Sequence, residues 1–154
     1  MYRYVDSDWA GDKVDRKSTA GYIFKLFGCT VSWASRKQSA VALSSTEAEY
    51  VALSLAISEA CWLRYLFKDL KIDNNYIPVK LYEDDQSAIK VCNNPEFHQK
   101  LKHVDIKVHF VRNKLRENAI QVEYLSTDKQ VADMFTKPLG KQSFQKFRTI
   151  LGIE

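Results

Sequence analysis

Four carboxylate residues lie where predicted elements of secondary structure begin or end. Asp6 closes the first predicted strand, and Glu49 opens the first predicted helix. Asp84 follows the fourth predicted strand, and Asp133 lies near the start of a late helix. Because a rigid scaffold can aim side chains from its element ends at one point, the four residues can form a single cluster despite their separation in sequence.

A cluster of carboxylates is a candidate site for divalent cations. Like charges a few ångströms apart raise one another's pKa and resist joint ionisation, whereas a cation removes that cost. Mg²⁺ prefers carboxylate oxygens and keeps part of its water shell. Two such ions about 4 Å apart can activate a water molecule and stabilise a leaving oxygen. The chemistry that these residues would serve is hydrolysis of a phosphodiester.

Each of the four acids also has a purely structural interpretation. Glu49 can be the partner of Thr46 in a capping box, and Asp84 can be a helix N-cap. Asp133 can be a first-turn acid favoured by the helix dipole, and Asp6 can be a turn former. Spacing alone does not choose between the structural interpretation and the metal site.

Three further acids lie one or two residues from a candidate: Asp8, Glu47 and Asp85. Asp6 is preferred because it follows the strand directly, and Glu49 because it shares a helix face with the apolar residues that pack on the sheet. The choice of Asp84 over its neighbour stays open.

The elements that must position these acids follow from apolar periodicity and from turn and capping residues. Strand-like segments at about 2–5, 21–27 and 29–33 precede a helix from about 44 to 70. A strand at 77–82, helices at 86–92 and 104–115, a strand at 119–125 and a helix carrying Asp133 follow, and an amphipathic stretch ends the chain. This order predicts a mixed α/β sheet with helices on its faces.

Composition fits one folded domain. The 154 residues are 45% apolar and 27% charged, with 5 Gly, 3 Pro and a net charge of +4, which excludes a disordered or collagen-like chain. Neither a membrane span nor a signal peptide is predicted, so we expect a soluble intracellular protein. The three cysteines are expected to be reduced, buried thiols, and the three tryptophans are expected in the core.

Five longer sequence blocks stand out along the chain. They are 4–12 (YVDSDWAGD), 15–22 (DRKSTAGY), 44–50 (SSTEAEY), 102–107 (KHVDIK) and 131–139 (VADMFTKPL). These blocks resemble the ribonuclease H domain that ends copia-type retrotransposon polyproteins, and they occur in that family's order. The resemblance covers about residues 2–152.

The resemblance implies a single ribonuclease H-like domain over 1–154, with its core at about 2–139 and a C-terminal helix at about 141–152. The implied sheet has five strands, antiparallel for the first three and parallel for the fourth and fifth, with helices on both faces. Asp6, Glu49, Asp84 and Asp133 would be both the catalytic and the metal-binding residues, with two Mg²⁺ or Mn²⁺ ions. One departure concerns histidine: the loop at 126–130 lacks the mobile histidine that cellular ribonucleases H place there.

The implied substrate is an RNA/DNA hybrid, bound through phosphate contacts and distinguished by the RNA 2′-hydroxyl. The candidate substrate-binding residues are Lys102, His103, Lys107, Arg112, Arg36 and Gln38. A solvated helix face is an equally good interpretation of the basic stretch, and His103 also fits a structural role at a helix start. The implied protein partner is an upstream reverse transcriptase domain of the same polyprotein, which these 154 residues do not include. No membrane partner is expected.

The sequence thus predicts a divalent-metal-dependent endoribonuclease that hydrolyses the RNA strand of hybrids during reverse transcription of a retroelement. The expected location is the cytoplasm, in retroelement particles, with access to the nucleus left open. The alternative is a catalytically weak or domesticated ribonuclease H-like domain that binds nucleic acid or protein. An integrase or transposase of the same fold is disfavoured, because its late catalytic acid would be glutamate, whereas the late acid here is Asp133.

Overall fold

The computed structural model describes residues 2–72, 78–94 and 104–153. Its centre is a five-stranded sheet with the strand order β3-β2-β1-β4-β5. The strands are β1 (Tyr2–Asp8), β2 (Thr19–Leu26), β3 (Cys29–Lys37), β4 (Val79–Glu83) and β5 (Ile120–Tyr124). The first three strands pair antiparallel, and β1, β4 and β5 run parallel. The predicted mixed sheet is therefore confirmed.

The four α-helices of the described chain are α1 (Ser45–Asp69), α2 (Gln86–Asn93), α3 (Asp105–Arg116) and α4 (Lys141–Leu151). Two short 3₁₀ helices, Thr127–Lys129 and Val131–Phe135, lie between β5 and α4. None of the helices in this described part is both long and apolar enough to cross a membrane.

Apolar side chains fill both faces of the sheet. On one face Phe24 belongs to the large core formed with α1 and α3. Its neighbour Ile23 belongs to a second cluster that contains Val131 of the 3₁₀ helix and Phe147 of α4. Because successive strand residues point to opposite sides, this division places helices on both faces of the sheet.

The residues around Asp133 form a 3₁₀ helix, so the predicted α-helix at this position is wrong. The side chain of Gln130 explains the difference. Its amide nitrogen donates to the Val5 carbonyl at 2.8 Å, and its oxygen accepts from Ala132 N at 3.4 Å. The chain is thereby tied to the sheet directly before Asp133, and Pro138 follows too closely for a regular helix to develop.

Two expectations about burial are also wrong. The three tryptophans are exposed rather than part of the core: Trp9 at 49%, Trp33 at 61% and Trp62 at 56%. Cys29 is exposed, Cys61 is partly buried and Cys92 is buried, and all three are free thiols.

Candidate metal centre

The prediction that Asp6 closes the first strand is wrong, because β1 continues to Asp8; Asp6 therefore lies within the strand, where it is almost fully buried. Its register partner on β2 is Gly21. A Cβ on Gly21 would lie 2.7 Å from Thr136 Cγ2 and 2.9 Å from Phe135 Cβ. The glycine therefore lets the chain around Asp133 approach the sheet closely, beside Asp6. This approach positions two of the predicted acids together.

Glu49 lies in the first turns of α1, where Ser44 and Glu47 form the cap. The Ser44 hydroxyl accepts from Glu47 N at 3.2 Å, and Glu47 Oε2 accepts from Leu43 N at 2.9 Å. This arrangement is a variant of the capping box, because Glu47 accepts from the N–H of Leu43, one residue before the N-cap, instead of from Ser44 itself. The capping role therefore belongs to Glu47, and Glu49 is left to project from the buried face of the helix.

Asp84 and Asp85 follow β4 and have different surroundings. Asp85 is the N-cap of α2, because its Oδ1 accepts from Ser87 N at 2.6 Å and from Ala88 N at 3.1 Å. It also accepts from the Thr46 hydroxyl at 3.4 Å. Asp84 caps nothing and lies at the carboxyl end of β4, beside the parallel strand β1 that carries Asp6.

The four predicted acids come together at this edge of the sheet in two overlapping groups. Oxygen atoms of Asp6, Asp84 and Asp133 lie within 4.8 Å of one another. Oxygen atoms of Glu49, Glu83 and Asp84 form a second group within the same distance. Asp84 therefore joins the two groups. The carboxylate of Asp8 is not a member of either group and lies against Gly11, where a Cβ would be 1.7 Å from its Oδ2.

Glu83 is the member of the cluster that the sequence reasoning missed. It ends β4, and it is fully buried at 0% exposure. A signal was present, because Val79, Leu81 and Glu83 alternate with exposed or half-buried residues along the strand. Period-two alternation places all three side chains on the buried face of β4.

The group that contains Asp6 and Asp133 has partners within the protein. Lys137 Nζ lies 3.1 Å from Asp133 Oδ1 and 3.7 Å from Asp6 Oδ2. The Thr136 hydroxyl donates a hydrogen bond to Asp6 Oδ2. Within the described residues Asp133 Oδ1, Glu49 Oε2 and Glu83 Oε2 are buried without a hydrogen-bond partner. Of these three oxygens, Asp133 Oδ1 has the ion pair with Lys137, whereas no ion pair is seen for the two glutamates in the described part of the chain.

Electrostatics in the cluster favour protonation of its acids when no cation is present. Burial raises the pKa of Asp133 to about 7; the Asp6 carboxylate adds to the rise, and Lys137 opposes it. Burial also raises the pKa of Asp6, again against Lys137. The pKa values of Glu49 and Glu83 are raised well above the ordinary value, mainly by burial and further by neighbouring carboxylates.

These residues fit a divalent cation. Every donor in the cluster is a carboxylate oxygen, the ligand type that Mg²⁺ and Mn²⁺ prefer. Glu49 Oε2 and Glu83 Oε2 support this fit, because a buried, charged oxygen without a partner is costly and a bound cation would supply the missing partner. Asp6, Glu49, Asp84 and Asp133 could thus hold ions, as could Glu83.

The predicted substrate-binding residues lie in different surroundings. Lys102 and His103 lie outside the described residues. Arg36 is exposed on β3, and Lys107 is half-buried on α3. Gln38 and Arg112 are buried and make hydrogen bonds within the protein.

Gln38 and Arg112 link elements of the fold. The Gln38 amide nitrogen donates to Ala48 O at 2.9 Å and to Ser7 Oγ at 3.2 Å. Arg112 donates to the carbonyls of Val91 at 2.9 Å and Asn94 at 2.6 Å. These bonds give both side chains a structural role, and neither side chain lies on the exposed surface that a substrate would meet.

Comparison with known proteins relates the chain to transposon proteins. It is 43% identical over 153 residues to a retrovirus-related Pol polyprotein from transposon RE1 of Arabidopsis thaliana, a match that covers 99% of the chain and 10% of that protein. It is 37% identical over 150 residues to the corresponding polyprotein from transposon TNT 1-94 of Nicotiana tabacum, covering 97% of the chain and 11% of that protein. The chain thus spans about a tenth of the length of these curated relatives.

Among solved structures, the fold is similar to ribonuclease H1 from the archaeon Halobacterium salinarum. The TM-score is 0.52 at 15% identity, over 94% of this chain and 97% of that one. No protein-family model matches the chain. The resemblance seen in the sequence is confirmed: the chain has a ribonuclease H-like fold and is homologous to a segment of the Pol polyproteins of copia-type transposons.

Proposed function

We propose that this ribonuclease H-like segment of a transposon Pol polyprotein hydrolyses the RNA strand of RNA/DNA hybrids, with divalent cations bound at the carboxylate cluster. The observation that carries the proposal is the convergence of Asp6, Asp84 and Asp133 within 4.8 Å, on elements far apart in sequence. An acidic cluster in this fold, in a relative of reverse-transcribing elements, supports a nuclease over a purely structural domain.

The cations would supply Lewis acidity that activates the attacking water and stabilises the leaving oxygen. The chain's part is to hold its oxygens in place. Asp84 would contribute to both groups of carboxylates and so would fix them relative to each other. Asp6 is fixed by the Thr136 hydroxyl, and Asp133 is fixed by Lys137. Cleavage would leave 3′-hydroxyl and 5′-phosphate ends.

Among the described residues, Lys137 is the one that forms ion pairs with both Asp6 and Asp133. Its side chain is 34% exposed, so it can meet both the carboxylates and an incoming phosphate. In the proposed reaction this ammonium group would attract the backbone of the hybrid toward the cluster.

Recognition of the hybrid is proposed to depend on the backbone of both strands rather than on base sequence. Arg36 lies on the exposed surface of β3, and the 2′-hydroxyl of the RNA strand is the group that separates RNA from DNA. The relatives are polyproteins ten times longer than this chain. We therefore propose that an upstream reverse transcriptase domain increases the affinity for the hybrid.

The test is cleavage of a labelled RNA/DNA hybrid at low salt, with Mg²⁺ or Mn²⁺ and with EDTA as a control. Single-stranded RNA and duplex DNA of the same sequence test substrate selectivity. The proposal expects metal-dependent cutting of the RNA strand in the hybrid alone. Binding of hybrid without any cutting, in a protein that binds the metal, would instead favour a domesticated or catalytically weak binding domain.

A further inference from the structure

Glu83 combines complete burial with proximity to the carboxylate cluster. It continues the buried side of β4 after Val79 and Leu81, at the last residue of the strand. An acidic side chain at such a position needs a compensating interaction, because water does not reach it.

The two oxygens of Glu83 have different surroundings. Oε1 accepts hydrogen bonds from Asp84 N at 3.1 Å and Asp85 N at 3.0 Å. Oε2 is buried and has no hydrogen-bond partner among the described residues. An oxygen of Glu83 lies within 4.8 Å of oxygens from both Glu49 and Asp84. One side of the carboxylate therefore organises the turn after β4, and the other side is left for a further partner.

Lys137, whose ammonium group lies at the cluster in the described part of the chain, does not fill that need, because it pairs with Asp6 and Asp133. The amide oxygen of a glutamine could accept the same two backbone hydrogen bonds, without burying a negative charge next to Glu49 and Asp84. Holding the backbone of Asp84 and Asp85 therefore accounts for the position of Oε1, but not for the buried Oε2. A divalent cation would satisfy Oε2 and remove the repulsion among the three carboxylates.

We propose that Glu83 is a fifth carboxylate of the metal centre, and that its Oε2 binds the divalent cation held by Glu49 and Asp84. This inference rests on the proposed metal-dependent function and adds a ligand to it. Glu83 thereby has two roles at once, since it orders the backbone of Asp84 and contributes charge to the same cation.

The test compares Mn²⁺ binding by the wild type and by Glu83→Gln at one fixed pH. Free Mn²⁺ is measured by electron paramagnetic resonance, and the Tm is measured with and without Mn²⁺. The matched control is Glu123→Gln on the neighbouring strand β5, where Glu123 pairs with Lys80 at 2.6 Å on the protein surface. The control removes the same charge from a glutamate outside the cluster.

We expect Glu83→Gln to fold, as judged by circular dichroism, and to bind Mn²⁺ at least about tenfold more weakly than the wild type. The gain in Tm on adding Mn²⁺ should shrink in parallel. Glu123→Gln should retain the wild-type affinity and gain. If Glu83→Gln does not fold, Glu83→Asp provides a second comparison, because aspartate keeps the negative charge and withdraws the carboxylate by one methylene group.

Equal Mn²⁺ affinity and equal gain in Tm for the wild type and a folded Glu83 variant would overturn the inference and leave Glu83 a structural residue. That result would leave the proposed function intact, because the wild type would still bind the metal. A wild type that binds no Mn²⁺ and gains no stability would overturn both the inference and the metal-dependent function.

Discussion

The two halves of the carboxylate cluster differ in how their negative charge is compensated. The half at β1 and the 3₁₀ helix contains Asp6 and Asp133, and it has an ammonium group from Lys137 and a hydroxyl from Thr136. The half at α1 and the end of β4 contains Glu49 and Glu83, each with an oxygen that has no hydrogen-bond partner within the described residues.

The protein itself offsets the charge of the two halves to different extents. Lys137 and Thr136 offset part of the charge of the first half, although burial still raises the pKa of Asp6 and Asp133. The second half stays uncompensated unless its carboxyls take up protons or a cation, which agrees with the strongly raised pKa values of Glu49 and Glu83. Asp84 belongs to both halves, and we expect a change there to affect both.

The largest effect is expected from Asp84→Asn, with Asp85→Asn as its matched control. Asp84→Asn should lower the rate of hybrid cleavage by a factor of about a thousand, because it removes the carboxylate shared by both halves. Asp85→Asn should stay close to the wild-type rate, because asparagine replaces aspartate well as an N-cap. The rates are measured on a labelled hybrid in Mg²⁺. Equal losses in the two variants would contradict the assignment of separate roles to these neighbours.

A second prediction concerns pH in the absence of divalent cations. The raised pKa of Asp133, about 7, means that the folded state holds this proton where the unfolded state has already lost it. The free energy of unfolding should therefore fall by about 2 to 3 kcal/mol as the pH rises from 5 to 8. Thermal unfolding in EDTA measures this fall.

Glu49→Gln and added Mg²⁺ sharpen the pH measurement. Both should flatten the fall in stability, the first by removing a carboxyl whose pKa is raised and the second by binding the ionised cluster. Stability that rises over the same pH range in EDTA would contradict the pKa directions given for the cluster.

A third prediction tests the packing that assembles the first half. Gly21→Ala should lower the free energy of unfolding by about 2 kcal/mol, because its Cβ would overlap with Thr136 and Phe135. Chemical denaturation measures the loss. The control is Gly140→Ala at the exposed N-cap of α4, where a Cβ meets nothing within 4 Å and the loss of glycine costs less than about 1 kcal/mol. Similar losses at the two glycines would show that the close approach beside Asp6 is unimportant.

The smallest effect is expected from Lys137→Met. In EDTA the variant should be less stable by about 1 kcal/mol, because Asp6 and Asp133 lose their cation. The exposure of about a third of the lysine side chain limits the loss. Saturating Mg²⁺ should reduce the difference, and thermal unfolding with and without the ion measures it. A loss that Mg²⁺ leaves unchanged would assign Lys137 a role outside the compensation of charge.

Much of the fold could be predicted because its signals are local. The long α1 begins one residue after Ser44, where the capping pattern starts, and it ends one residue before Leu70. The sheet topology followed from the order of elements and from the resemblance. The helix expected around Asp133 was wrong because the contacts of Gln130 with Val5 and Tyr82 are tertiary and leave no mark in local periodicity.

The candidate site shows where reasoning from sequence reaches its limit. Asp84 and Asp85 could have been separated, because Asp85 directly precedes the first residue of α2 and so occupies the N-cap position. Glu83 was passed over because an acidic run after a strand is typical of an exposed turn. The tryptophans were misplaced because their size predicts burial, whereas Trp33 stacks on Phe135 with a ring distance of 5.5 Å at the surface.

The most direct test of the account is the position of bound cations. Crystals soaked in Mn²⁺ would locate the ion through its anomalous scattering. The account predicts an anomalous peak about 2 to 2.3 Å from a carboxylate oxygen of Asp84, with further ligands from Asp6 and Asp133 or from Glu49 and Glu83. Soaked crystals without a peak at Asp84, or with peaks at other carboxylates alone, would contradict the claim that this cluster is the metal centre.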